Sequence, residues 1–164
     1  MGIPNQGTEP DRPGGGLVLD DRRVMLVATF RVATLRLGLD AGRVREALQA
    51  QPLTVVPHAR PQISGLLNLR GEVVTALDLR IGLGLGTETD DPSLLTNLVV
   101  TVGAESVSLL VDEIDDVIEV DAEALEPVPD TVDPQLRSLL DGVLQQPDGL
   151  LLILDLDQLV TPTR

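Results

Sequence analysis

The stretch Ile63-Ser64-Gly65-Leu66-Leu67-Asn68-Leu69-Arg70-Gly71-Glu72-Val73-Val74-Thr75-Ala76-Leu77-Asp78-Leu79-Arg80 decides the fold. Its apolar residues recur with period two on both sides of an Arg-Gly break. Side chains of a strand alternate between its faces, so Ile63, Gly65, Leu67 and Leu69 are expected on one face and Ser64, Leu66, Asn68 and Arg70 on the other. Past Gly71 the pattern resumes, with Val73, Thr75 and Leu77 on one side and Val74 and Ala76 on the other. Gly71 can supply the positive φ that a tight hairpin requires. Asp78 is placed to cap a short helix over Leu79 to Leu83, which Gly84 ends.

The same grammar extends outward. Val24-Met25-Leu26-Val27-Ala28-Thr29-Phe30-Arg31-Val32 has the length and β-branched content of a strand, and Leu35, Leu37 and Leu39 alternate in a second. The two are close enough for a hairpin through Ala33-Thr34. The segment from Asp40 reads as a short irregular turn, then a strand from about Val44. A polar linker spans Thr87 to Ser93. Beyond it, Leu98, Val100 and Val102 face one way, as do Val107, Leu109 and Val111 across the next turn. Asp115 to Val120 is a further short strand, and a short helix begins at Asp133-Pro134. Gly142 to Leu154 forms a hairpin over Pro147-Asp148-Gly149, and Asp155 caps a last helix. Residues 1–17, with three prolines and Gly14-Gly15-Gly16, read as a disordered tail.

The halves echo each other. Gly65 aligns with Gly142, Asp78-Leu79 with Asp155-Leu156, and Leu53-Thr54-Val55-Val56-Pro57 with Leu125-Glu126-Pro127-Val128-Pro129. Each half reads as about five strands with a terminal helix. A mainly β fold of two five-stranded barrels packed together, with a few short helices, is expected. One lobe would span about 18–86 and the other about 94–162. Exchange of strands between the halves is left open by the sequence.

Composition narrows the chemistry. The chain has 164 residues and a formal net charge of -14, so phosphate backbones and anionic surfaces repel it unless a basic patch overrides the total. No basic run supplies such a patch, and Phe30 is the only aromatic on which a base could stack. Nucleic-acid binding and direct membrane insertion are therefore not expected. There is no cysteine, and all 12 basic residues are arginine. Schiff-base, Ser-Lys and Walker-lysine chemistry are excluded, as are disulfides and thiolate zinc sites. His58, the sole imidazole, sits in a proline-bounded loop. No catalytic residue, cofactor or metal is expected, and a cytoplasmic binding protein is the natural reading. Two rivals remain: a metal-dependent enzyme using the carboxylates of Asp112, Glu113, Asp115 and Asp116, and a self-associating structural β-barrel protein.

The quoted stretch resembles the CheW family of chemotaxis coupling proteins, on Gly65, Asn68-Leu69-Arg70-Gly71 and Asp78-Leu79-Arg80. The resemblance reaches from about Val24 to Val160. Thr75-Ala76 depart from it, standing where the family prefers proline and an aliphatic residue. It implies SH3-like barrel lobes and a non-catalytic adaptor joining the regulatory domain of a CheA-type histidine kinase to the cytoplasmic tip of chemoreceptors. It also places Glu46 near the Arg70 hairpin. The partner-binding residues expected on this basis are Val44, Glu46, Gly65, Asn68, Arg70 and Gly71. A Glu46–Arg70 ion pair is expected to hold the binding face in shape, because a planar guanidinium suits a carboxylate clamp.

Overall fold

The computed structural model describes residues 23–86 and 91–160. The tail expected over 1–17 lies outside the described residues, and the polar linker is described only from Asp91 onward. Ten strands follow the described chain: β1 (Val24–Val32), β2 (Leu35–Asp40), β3 (Val44–Leu48), β4 (Ile63–Leu69), β5 (Glu72–Asp78), β6 (Thr96–Val102), β7 (Glu105–Val111), β8 (Glu113–Asp121), β9 (Leu140–Gln146) and β10 (Gly149–Leu154). Helices are short: α1 (Leu79–Gly82), α2 (Pro134–Arg137) and α3 (Leu156–Val160). Each is entered through an aspartate whose carboxylate accepts a backbone N–H: Asp78 from Arg80, Asp133 from Gln135 and Asp155 from Gln158.

The strands form two five-stranded sheets, in the orders β9-β10-β2-β1-β8 and β3-β6-β7-β5-β4. Each repeat does contain five strands and a terminal helix, but the lobes are not the sequential halves 18–86 and 94–162. The hairpin that opens each repeat joins the last three strands of the other. β2 runs parallel to β10, with Leu37 opposite Leu152, and β7 runs parallel to β5, with Val107 opposite Thr75. Thr75 and Ala76 accordingly pair on both sides, with Leu66 and Gly65 in β4 and with Val107 and Ser108 in β7.

The reason for the exchange is visible in what it buries. Phe30 and Leu37 from one hairpin meet Leu98 and Leu109 from the other in a single core between the sheets, with Leu77, Leu79, Leu152 and Leu154. The opposite faces fill two smaller interiors. Leu67, Val74, Ala76, Val99 and Leu110 line one barrel, and Val27, Leu144, Leu151 and Ile153 line the other. Burial on both faces explains the aliphatic runs of the interior strands β6, β7 and β10.

Both sheets close by the same device. Thr54, downstream of β3, exchanges two backbone hydrogen bonds of 2.8 Å with Leu66 in β4, the opposite edge. Glu126, downstream of β8, does the same with Val143 in β9, at 2.8 and 2.9 Å. The glycines beside these bridges make them possible. A Cβ on Gly65 would lie 2.6 Å from the Thr54 carbonyl oxygen, and one on Gly142 would lie 2.7 Å from that of Glu126. A bulge precedes each glycine. In β4 it corrects one expectation: Ile63 pairs with Leu77 and joins the core between the sheets, so it does not share a face with Leu67 and Leu69.

Two consequences can be measured. Gly142→Ala forces backbone apart at the closure without a positive-φ penalty, and overpacking of this kind costs about 1–3 kcal/mol. Urea denaturation should show that loss, and a midpoint equal to that of the parent would remove close approach as the role of this glycine. Asp78 is 2 % exposed, and burial raises its carboxyl pKa even though the Arg80 and Ile81 N–H groups oppose the shift. A raised folded-state pKa makes the ionised form unfavourable at neutral pH, and protonation relieves this as pH falls toward the ordinary value of 3.8. Asp78→Asn keeps a cap acceptor but cannot titrate. The parent should therefore gain stability relative to this variant on acidification to about 3.8, with a constant difference below. A difference independent of pH would contradict this account.

Candidate functional site

The sheet order places β3 and β4 at opposite edges. Closure at Thr54 brings those edges together, and only then can a side chain of β3 meet the tip of the β4–β5 hairpin. Glu46, on β3, meets Arg70, at the hairpin tip, in an ion pair between Oε2 and Nη2. The arginine is 65 % exposed and the glutamate 23 %. The hydrogen bond and charge of Glu46 raise the Arg70 pKa, with Glu72 adding to the effect and burial opposing it. The guanidinium stays charged while presenting most of its surface to solvent.

Arg70 and Gly71 form a two-residue loop between Leu69 and Glu72. Both have positive φ, 51° and 87°. Glycine adopts that region freely, whereas arginine does so against the clash of its Cβ with the backbone. Asn68 Oδ1 accepts the Gly71 N–H at 2.9 Å and ties the turn to its strand. The left-handed backbone at Arg70 is not evident from the residue type. The signal for it is the two-residue spacing itself, since such loops favour positive φ at both positions.

A second ion pair lies beside the first. β3 carries a bulge between Val44 and Glu46, so two successive residues, Arg45 and Glu46, both reach the hairpin. Arg45 Nη1 donates to Glu72 Oε1 and to Ser106 Oγ, each at 2.8 Å. Strand β3 thus offers a positive and a negative group, and the hairpin answers with a negative and a positive one. Next to them Val73 is 66 % exposed. A groove of about 710 Å³ runs past Glu72, Val73, Thr75, Ser106 and Val107. Arg45, Glu72 and Ser106 were not anticipated, because a one-residue bulge leaves no mark on the apolar pattern.

The expected residues separate into two groups. Glu46, Asn68, Arg70 and Gly71 are gathered at one end of the barrel. Val44 is half-buried and packs against the core between the sheets, and Gly65 is buried at the closure. Three of the four carboxylates of the rival metal site are taken up by arginines and backbone: Asp112 by Arg80 at 2.9 Å and the Ala33 N–H at 2.6 Å, Asp115 by Arg31 at 3.2 Å, and Glu113 by Arg31 at 3.6 Å. Among the described residues no group of three or more His, Asp or Glu side chains is placed to hold a metal ion, and no helix is long and apolar enough to cross a membrane. The exposed charged pair, Asn68 and the apolar Val73 thus share one end of the barrel.

Comparison with known proteins bears on the family and the fold. A family model described as a CheW-like domain matches residues 26–163. A chemotaxis protein CheW of Rhizobium meliloti (strain 1021) is 31% identical over 129 residues, covering 78% of this chain and 82% of that protein. One from Bacillus subtilis (strain 168) is 30% identical over 128 residues, covering 77% and 80%. The crystal structure of the scaffolding protein TtCheW from Thermoanaerobacter tengcongensis superposes with a TM-score of 0.73 at 26% identity, covering 84% of this chain and 92% of that one. With its two five-stranded sheets and its match over nearly all described residues, the chain belongs to the CheW family of chemotaxis scaffold proteins.

Proposed function

We propose that this protein is a non-catalytic, cytoplasmic adaptor that couples a chemoreceptor cytoplasmic tip to the regulatory domain of a CheA-type histidine kinase. The observation that carries the reading is the Glu46–Arg70 pair, exposed at the end of a closed barrel. It is supported by family membership and by the poverty of catalytic side chains, with no lysine or cysteine and one exposed histidine in a turn. A closed barrel is rigid and a surface built on it is preorganised, so little ordering cost is added when a partner docks. Glu46, Asn68, Arg70 and Gly71 form the docking tip in this reading. Val44 and Gly65 support it from behind, one as packing and the other as closure.

The test is a pull-down with a kinase regulatory domain and a receptor-tip peptide, each offered separately. The parent should retain both. Arg70→Ala should weaken at least one complex about tenfold, as truncating a central charged anchor does, while the circular dichroism spectrum is unchanged. Glu46→Arg combined with Arg70→Glu should recover part of the loss. Retention of both partners by Arg70→Ala at parental strength would place the docking surface elsewhere, and failure of the parent to retain either would overturn the adaptor reading.

A further inference from the structure

Arg70 has two carboxylates to choose from. Glu46 lies across the barrel closure, on another strand, and its pairing with Arg70 links β3 to the hairpin tip. Glu72 lies two residues along the same turn, and its charge already acts on Arg70. By proximity in the chain Glu72 is the easier partner, since pairing within one turn restricts fewer degrees of freedom than pairing across the barrel. A pair within the turn would leave the guanidinium folded onto its own hairpin and Glu46 unmatched. The observed arrangement is the other one, and a third residue accounts for it: Arg45 holds Glu72 at 2.8 Å and is itself fixed by Ser106 on β7.

We infer that Arg45 is a positioning residue for the docking tip: by occupying Glu72 it reserves Arg70 for Glu46, and so sets the direction in which Arg70 meets a partner. The bulge in β3 makes this possible, because it turns two consecutive side chains toward the same hairpin. Repulsive and attractive elements work together here. Arg45 and Arg70 repel each other, which favours dividing the two carboxylates between them over sharing one. The role of Arg45 in partner binding rests on the adaptor reading above; its choice of carboxylate does not.

The inference separates from a merely structural role through a second-site rescue. Arg45→Ala frees Glu72 to capture Arg70, and binding to whichever partner depends on Arg70 should fall about tenfold. Glu72→Ala should bind within about twofold of the parent, because Arg70 then has only Glu46 nearby. The double variant Arg45→Ala/Glu72→Ala removes the competitor along with its keeper and should return to within about twofold of the parent. A structural role for Arg45 predicts the opposite, a double variant as weak as Arg45→Ala. A partner-free measurement runs alongside: the urea-midpoint cycle of Glu46→Gln and Arg70→Gln. Coupling should be present in the parent, absent with Arg45→Ala and present again in the double variant. Coupling that persists in Arg45→Ala, or binding by Arg45→Ala at parental strength where Arg70→Ala is weak, overturns the inference. A parent that binds neither partner while the cycle behaves as expected would sink the adaptor reading and leave the charge arrangement standing.

Discussion

The structure depends on four backbone hydrogen bonds that close two sheets. Thr54 with Leu66, and Glu126 with Val143, join edges that the strand order leaves farthest apart. Open edges of this kind are sticky, and a sheet of five short strands has little else with which to protect them. Closure satisfies them within the chain. It demands that two backbones approach more closely than a side chain permits, which is met by glycine at 65 and 142. It also demands a local change of strand direction, which the bulges before those glycines provide. The Glu46–Arg70 pair is a consequence of the same closure. Glu46 and Arg70 belong to opposite edges and become neighbours only when the edges meet.

The exchange of hairpins adds a second level of order. Had each repeat folded on itself, Phe30 and Leu37 would lie in one lobe and Leu98 and Leu109 in the other, joined only through a surface contact. Crossing the hairpins places all four in one interior with residues from α1, α2 and α3. Neither lobe can be displaced without opening the shared core, so the relative position of surfaces on the two lobes is held by buried aliphatic area. The Asp112 carboxylate extends the same linkage, bonding to Arg80 beside one sheet and to the Ala33 turn of the other.

Much of this was legible in the sequence, for physical reasons that differ from element to element. Aliphatic runs and period-two patterns located the strands, because the inward-facing residues of the interior strands are buried. Gly71 announced its turn, and Asp78 and Asp155 announced their helices. The Glu46–Arg70 pair came from family resemblance, and its chemistry was then arguable from a guanidinium at a hairpin tip. The alignment of Gly65 with Gly142, and of Leu53-Thr54 with Leu125-Glu126, contained the closure, but as a repeat without a stated purpose. Strand partnership was hidden. A hairpin sequence specifies its own register and carries no label for the sheet it will join, so the lobes were drawn along the chain and the exchange was only left open. The bulges at Ser64 and Arg45 were equally silent. One misplaced Ile63; the other concealed the Arg45–Glu72 pair.

In the proposed function, one rigid molecule engages two partners at once through surfaces held apart by a shared core. Sedimentation velocity on a mixture of the kinase regulatory domain, a fluorescently labelled receptor-tip peptide and this protein tests that claim most directly. The expected result is a ternary species whose population rises with added protein and which is absent when the protein is left out. Two binary species that displace one another, with no ternary boundary at any concentration, would contradict it.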